Sequence, residues 1–370
     1  MSDPGATSLS RPPRLKSLDA PRGFDMLWIV GLSKLFIALA AVTSIPWLDA
    51  WADQLEHVPW DGLRAYDLIF PLFMFLAGMA IPYSLAAKQS RPGGAIRSIL
   101  LRVALLILLG AIYNGLLQLK FDTQRYASVL GQIGVAYAIA AFIFLFTRTW
   151  KSRVIWLLGL LLGIAALQLL FPVPGHGAGV LTPEGIVNAW IDRQFLPGRL
   201  HGGNFDPEGL LCAVSASALT LGGVLTGSFI RHRGPRLTNV PILLAAGAVL
   251  ILLGWLCWTL GYPPIKSAWT TTFNLLAGGI CLSLFALFHL AIDFIPAVNW
   301  SFPLQVVGMN PLTIYLAARI LPFSAIAAFF AGGLAERSGP WSPVILLSAT
   351  LLIEWLLLLF LYRKKIFLRV

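Results

Sequence analysis

Between Glu56 and Ala80 the chain reads EHVPWDGLRAYDLIFPLFMFLAGMA, and it opens on side chains suited to proton transfer. Histidine is the side-chain type best suited to take and return a proton near neutral pH, and His57 stands second in the stretch. A carboxylate beside such a ring fixes its tautomer and its orientation, and Asp61 and Asp67 both stand close by in sequence. Charged and imidazole groups at the lip of an apolar run are costly to keep, which marks His57 and Asp67 as candidate catalytic groups. The plainer reading of Asp67 is a helix cap, where free amides stabilise a carboxylate, or a partner for Arg64 or Lys34. Trp60 and Asp61 belong to an acid-rich, aromatic stretch, Ser44–Ala65, which also holds Trp47 and Trp51. Tryptophan with carboxylates suits a sugar, ring against ring and hydroxyl to oxygen; an interfacial aromatic belt is the alternative.

Two further constellations carry possible chemistry. Asp206-Pro207-Glu208 opens an apolar run, where helix capping is the plain role and a polar acceptor substrate the sharper one. Asn310 precedes a kinking proline, Pro311, and a broken helix at membrane depth frees backbone groups that line cavities. Asn310 is therefore a candidate oxyanion donor. Lys34, Arg102, Arg319, Asp25, Asp293 and Glu354 lie in or at the ends of apolar runs, and each should face a partner or a cavity. Asn114, Gln132 and Asn274 add buried amides of the kind that join helices. No phosphate-binding Gly-rich loop, dinucleotide fingerprint or His-Glu-x-x-His is present. Cys212, Cys257 and Cys281 lack metal-ligand spacing and are expected as buried free thiols, with no metal bound.

These groups must be held by membrane helices. Hydrophobic residues make up 58% of the 370 and charged ones only 12%, and mean hydropathy is +0.79, whereas soluble domains carry about a quarter charged residues. Runs of roughly 20 apolar residues suffice to span. Ten emerge: 24–43, 66–87, 96–119, 128–147, 154–171, 209–230, 240–260, 269–294, 304–330 and 343–362. Pro311 and Pro322 should kink or split the ninth. Lys and Arg between spans divide 17 to 7. The richer side receives residues 1–23, the turns around Lys88, Arg148 and Arg231, and the C-terminal tail. By the inside-positive rule both termini are cytoplasmic, and this bias accounts for the net charge of +11 without nucleic acid. The first twenty residues are polar and Pro-rich, so residues 1–23 read as a cytoplasmic arm, without the apolar core of a signal peptide. The expected fold is all-α: a polytopic membrane helical bundle of about ten transmembrane helices forming one domain over 1–370. The N-terminal half is 24–171, a long periplasmic loop 172–208, and the C-terminal half 209–370. No repeat of the kind found in inverted-repeat transporters is visible.

Seven segments, in order, resemble the heparan-α-glucosaminide N-acetyltransferase family, in the manner of a bacterial member, over nearly the whole length. They are LKSLDAPRGFDMLWIVG, HVPWDGLRAYDLIFPLFMFLAGMAIP, LRVALLILLGAIYNGLL, YASVLGQIGVAY, DPEGLL, PPIKSAWTTTF and VVGMNPLTIYL. The resemblance implies a multi-pass protein of the bacterial inner membrane that moves the acetyl group of cytosolic acetyl-CoA to the amine of glucosamine, or of a glucosamine-ended saccharide, on the periplasmic side. The family's active histidine falls on His57, as general base or acetyl carrier. Acetyl-CoA is then the co-substrate, an amino sugar and the lipid bilayer are the partners, nucleic acid is not, and self-association into a homo-oligomer stays open. Coenzyme A is a polyanion, so Arg97, Arg102, Arg148, Lys151 and Arg231 are its expected holders, with Asn114 and Gln132 lining its passage; Gln132 stands where relatives tend to carry Arg. Trp60, Asp61, Asp206, Glu208 and Lys266 are expected on the sugar side.

The principal alternative is a transporter for amino sugars or N-acetylglucosamine, for which an acid-rich, Trp-lined mouth and broken helices serve equally. A scaffold for polysaccharide assembly would leave the intramembrane charges without work.

Overall fold

A computed structural model of the chain describes residues 16–90, 92–295 and 300–368. The expectations placed on Arg11, Arg14, Arg91, Arg369 and the side chain of Lys16 lie outside the described residues. The described chain is helical throughout, with paired β-type backbone only at isolated bridges. Fifteen α-helices follow in order: α1 Lys16–Leu27, α2 Ser33–Thr43, α3 Pro46–Gln54, α4 Ile69–Leu85, α5 Gly93–Tyr113, α6 Val129–Phe146, α7 Trp150–Leu170, α8 Val187–Phe195, α9 Leu210–Arg233, α10 Asn239–Thr259, α11 Thr271–Asp293, α12 Phe302–Gly308, α13 Pro311–Ile320, α14 Phe323–Arg337 and α15 Ser342–Arg363. A π-helical turn, Trp28–Leu32, joins α1 to α2, and a 3₁₀ turn, Ala65–Leu68, leads into α4.

Among the described residues nine stretches are long and apolar enough to cross a bilayer. A tenth arises if the bent pair α13–α14 counts as one span. The fold is thus the all-α polytopic bundle expected. Pro311 stands at the first position of α13, and Pro322 separates α13 from α14, whose axes differ by 73°. Each proline lacks the amide that would continue a helix. The ninth expected span, 304–330, therefore resolves into α12, α13 and the first half of α14.

The helices run to and fro between two faces. On one, called here the loop face, Asn114 at the end of α5 donates to Ala127 O before α6, and Gln168 near the end of α7 donates to Ala268 O before α11. On the other, the tail face, Gln89 past α4 donates to Phe144 O of α6, and Arg231 at the end of α9 donates to Pro82 O of α4. The principal apolar core is shared by α4, α6, α9 and α11, which come from both halves of the chain. The α4–α9 crossing is close because glycine lies at it: a Cβ on Gly223 would sit 2.1 Å from Phe75 O. Such small residues let membrane helices approach through their backbones. Outward-facing side chains on α5, α7, α10 and α15 are instead large and apolar, as acyl chains demand. The cysteines are free; Cys212 and Cys281 are buried, but Cys257 is only half-buried.

Candidate active site

Asp67 is fully buried at the start of the α4 span. Its Oδ2 accepts the backbone amides of Arg64, at 3.1 Å, and Val58, at 3.4 Å, which fixes the loop that precedes the span. The cap expected from sequence is therefore present. Its other oxygen, Oδ1, is 2.7 Å from His57 Nδ1 and 3.3 Å from Lys266 Nζ. The capping carboxylate is thus also the partner of the histidine. His57 stacks obliquely on Tyr66, ring centres 4.8 Å apart, and keeps about half its side chain, 53%, open to solvent.

Lys266 reaches the same point from the other half of the chain. Its Nζ is 3.0 Å from His57 Nδ1 and 3.5 Å from Nε2. The turn that carries it is tied down at every corner. Ile265 N donates to Thr270 Oγ1, which donates to Pro263 O, while Gln168 and Asn188 both donate to Ala268 O. Trp269, next in line, is buried with a left-handed backbone, φ 47°, a conformation a large residue holds only when its surroundings dictate it. Antiparallel pairing of Asp61 with Ile265, with Gly62 N donating to Pro264 O at 2.9 Å, docks the His57 loop onto this turn. Burial pulls the Lys266 ammonium below its ordinary value, and Asp67 opposes that pull.

The remaining residues expected on the sugar side divide. Asp61 is exposed beside this cluster. Trp60 is half-buried, its indole N–H on Leu181 O at 2.7 Å and its ring edge-on to Phe205, so it packs one loop on another. Asp206 is buried and fully engaged: it accepts two bonds from Arg125, at 2.8 and 2.5 Å, and the amides of His201 and Glu208. Glu208 also pairs with Arg125. Burial disfavours the Arg125 charge, but the two carboxylates outweigh it and hold the guanidinium above its ordinary range. Nothing in the spacing of Arg125 ties it to acids some eighty residues on, and sequence reasoning missed it.

Asn310 is not near His57. It lies at the tail face, where its Nδ2 donates to Ile366 O and its Oδ1 accepts from Leu368 N. An amide engaged in anchoring the C-terminal tail cannot donate at the opposite end of the bundle. Asn114 is also displaced from the role expected of it: it closes the α5–α6 turn at the loop face by donating to Arg125 O and Ala127 O. Gln132 is buried on α6 with both amide atoms unpartnered.

Of the cations expected to hold a polyanion, Arg231 lines one cavity at the tail face and Arg102 another. The Arg102 cavity, about 470 Å³, opens between α4, α5, α6 and α13 and is lined by Arg22, Arg102, Phe73, Ser84, Tyr137 and Leu368, among others. Arg102 lies on the Tyr137 ring, 4.2 Å from its centre, with Nε unpartnered, while Arg22 donates to Leu76 O. Arg97, Arg148 and Lys151 are exposed and line none of the larger cavities. The recess that Arg231 lines, about 380 Å³, is shared with Arg153 and His232, which were not expected there. Phe73, on the wall of the Arg102 cavity, is six residues beyond Asp67, roughly 9 Å along a helix. No group of three or more metal-ligating side chains occurs among the described residues.

No family model matches the chain. It is 27% identical over 377 residues to the heparan-alpha-glucosaminide N-acetyltransferase of Homo sapiens, covering 84% of this chain and 53% of that protein. The corresponding protein of Mus musculus is also 27% identical, over 382 residues, covering 84% of this chain and 56% of its own length. The chain thus spans about half the length of the curated relatives it matches. Together with the ordered segments quoted above, this similarity supports membership of the heparan-alpha-glucosaminide N-acetyltransferase family.

Proposed function

We propose that the chain is a transmembrane N-acetyltransferase that passes the acetyl group of acetyl-CoA, entering from a cytosolic tail face, to the amine of glucosamine or a glucosamine-ended saccharide at an extracytoplasmic loop face. The carrying observation is the Asp67–His57–Lys266 cluster at one end of α4, with a cation-bearing cavity along the same helix from the other end. With its Nδ1 proton on Asp67, His57 presents an unprotonated Nε2 to the acceptor. The sugar amine, having lost one proton to solvent, attacks the thioester carbonyl, and Nε2 takes the second proton as the C–N bond forms. The tetrahedral oxyanion collapses, the C–S bond breaks, and the thiolate recovers the proton from His57, giving the acetamide and free coenzyme A. Lys266 fits the oxyanion role expected of Asn310, because its ammonium lies beside the imidazole, 3.0 Å from Nδ1 and 3.5 Å from Nε2.

In this reading Arg22 and Arg102 hold donor phosphates as forked or point charges, and the cavity shortens the span the pantetheine arm must cross. Calorimetric titration with acetyl-CoA tests the donor site: the wild type binds, and Arg102→Ala binds at least several-fold more weakly. Failure of the wild type to bind acetyl-CoA removes the proposal and leaves the amino-sugar carrier, which has no need of the donor.

A further inference from the structure

A second cavity, of about 370 Å³, lies between the first span, α13, α14 and α15, separate from the Arg102 cavity and from His57. Lys34, Arg319 and Glu354 line it, with Ser324 and Thr350. Glu354 is only 4% exposed, and its Oε2 has no hydrogen-bond partner. Lys34 lines the same cavity, and Arg319 rests 5.8 Å from the centre of the Tyr113 ring. Two interruptions of regular helix open the space: the π turn Trp28–Leu32, just before Lys34, and the α13–α14 break, just after Arg319. Such π turns are frequent at functional sites.

The rim is apolar and outward-facing. Of the lining residues Leu321 is 43% exposed, and Ile320 and Leu352, next in sequence to the lining residues Arg319 and Leu351, are 70% and 56% exposed, so in a bilayer acyl chains reach the mouth. Lys34 and Arg319 are exposed along apolar helices, where a cation without a counter-charge is costly in a bilayer. Two cations against one carboxylate leave a single positive charge, which one phosphodiester cancels. Hydroxyl donors on the same ligand would meet the Glu354 oxygen that lacks a partner.

We propose that this cavity is a binding site for one anionic phospholipid whose head group carries a single negative charge and free hydroxyls. The phosphate sits between Lys34 and Arg319, the hydroxyls face Glu354, and the acyl chains leave through the α13–α14 break.

Native mass spectrometry of the full chain released from nanodiscs tests this, with phosphatidylglycerol, phosphatidylethanolamine and phosphatidylcholine mixed in equal parts. The expected result is one retained phosphatidylglycerol, enriched at least fivefold over either zwitterionic lipid. Lys34→Gln with Arg319→Gln should abolish the enrichment, and Lys34→Arg should keep it. Lys88→Gln, which removes an exposed charge at the tail face, should leave it unchanged. Inorganic phosphate at millimolar concentration should not displace the lipid, because the site opens to the bilayer; displacement would assign it to a soluble phosphate instead and overturn the proposal. Equal retention of the three lipids, or enrichment that survives the double substitution, would also overturn it. Acetyl transfer is not read in this experiment, so its outcome is independent of the function proposed above.

Discussion

His57, Asp67 and Lys266 divide three tasks that one residue cannot perform. In the proposed reaction Asp67 orients, His57 moves the proton, and Lys266 supplies positive charge where the oxyanion forms. Removing a general base typically costs 10²–10⁴-fold in rate, so His57→Ala should lower kcat by that order with acetyl-CoA affinity unchanged. Lys266→Gln should lower kcat by about 10²-fold, whereas Lys266→Arg should recover part of it; equal losses in both would argue against a charge role. Stability carries a separate residue-scale signature. Asp192, on α8, accepts the amides of Asp206 and Leu210, yet burial pushes its carboxyl up to about 6. A raised folded-state value adds stability that is complete below the ordinary value, 3.8, and lost as pH rises through about 6. The difference in melting temperature between wild type and Asp192→Asn in detergent should therefore narrow between pH 4 and pH 7, by the equivalent of up to about 3 kcal/mol. A constant or widening difference would refute the assignment. The sequence marked His57 and Asp67 because both interrupt the approach to an apolar run. It could not mark Arg125 or give Lys266 its place, since each meets its partners only through the packing of distant loops.

Helices explain why the cluster holds together. The hydropathy of the spans and the prolines at 311 and 322 were legible, because each rests on a local rule: apolar length, or a missing amide. Helices α3 and α8, inside the expected loops Ser44–Ala65 and Pro172–Glu208, were not, because their apolar faces are short and gain stability only against neighbours, α3 against α2 and α8 against Leu211 and Ile164. Asn310 shows the opposite failure. Its local setting before Pro311 was read correctly as a helix break, but which face that break occupies depends on how α12 packs against α1, where Gly308 meets the backbone of Asp19. The α4–α9 crossing gives the element-scale test. An added Cβ at Gly223 collides with backbone rather than with a movable side chain, so Gly223→Ala should cost about 1–3 kcal/mol and reduce activity by shifting α4, which carries Asp67. Gly222→Ala, one position away and facing open space, should be near neutral in a thermal unfolding assay.

Across the whole molecule, the argument is one of two compartments served by one bundle. The proposed function sets the tail face in the cytosol, as the inside-positive rule leads one to expect. A membrane-impermeant maleimide should therefore label Glu56→Cys from outside intact cells and leave Lys88→Cys unlabelled until the membrane is opened; the reverse pattern would invert the molecule. A donor held from one face and an acceptor from the other imply that both are bound together. Double-reciprocal plots with both substrates varied should intersect, while parallel lines with acetyl trapped on His57 would require a covalent relay. The most direct test is vectorial transfer in proteoliposomes, with acetyl-CoA confined to the tail face and glucosamine to the loop face. The account predicts that N-acetylglucosamine forms on the loop face, that His57→Ala abolishes it, and that the variant still binds acetyl-CoA. No product from the wild type, or undiminished product from His57→Ala, would contradict it.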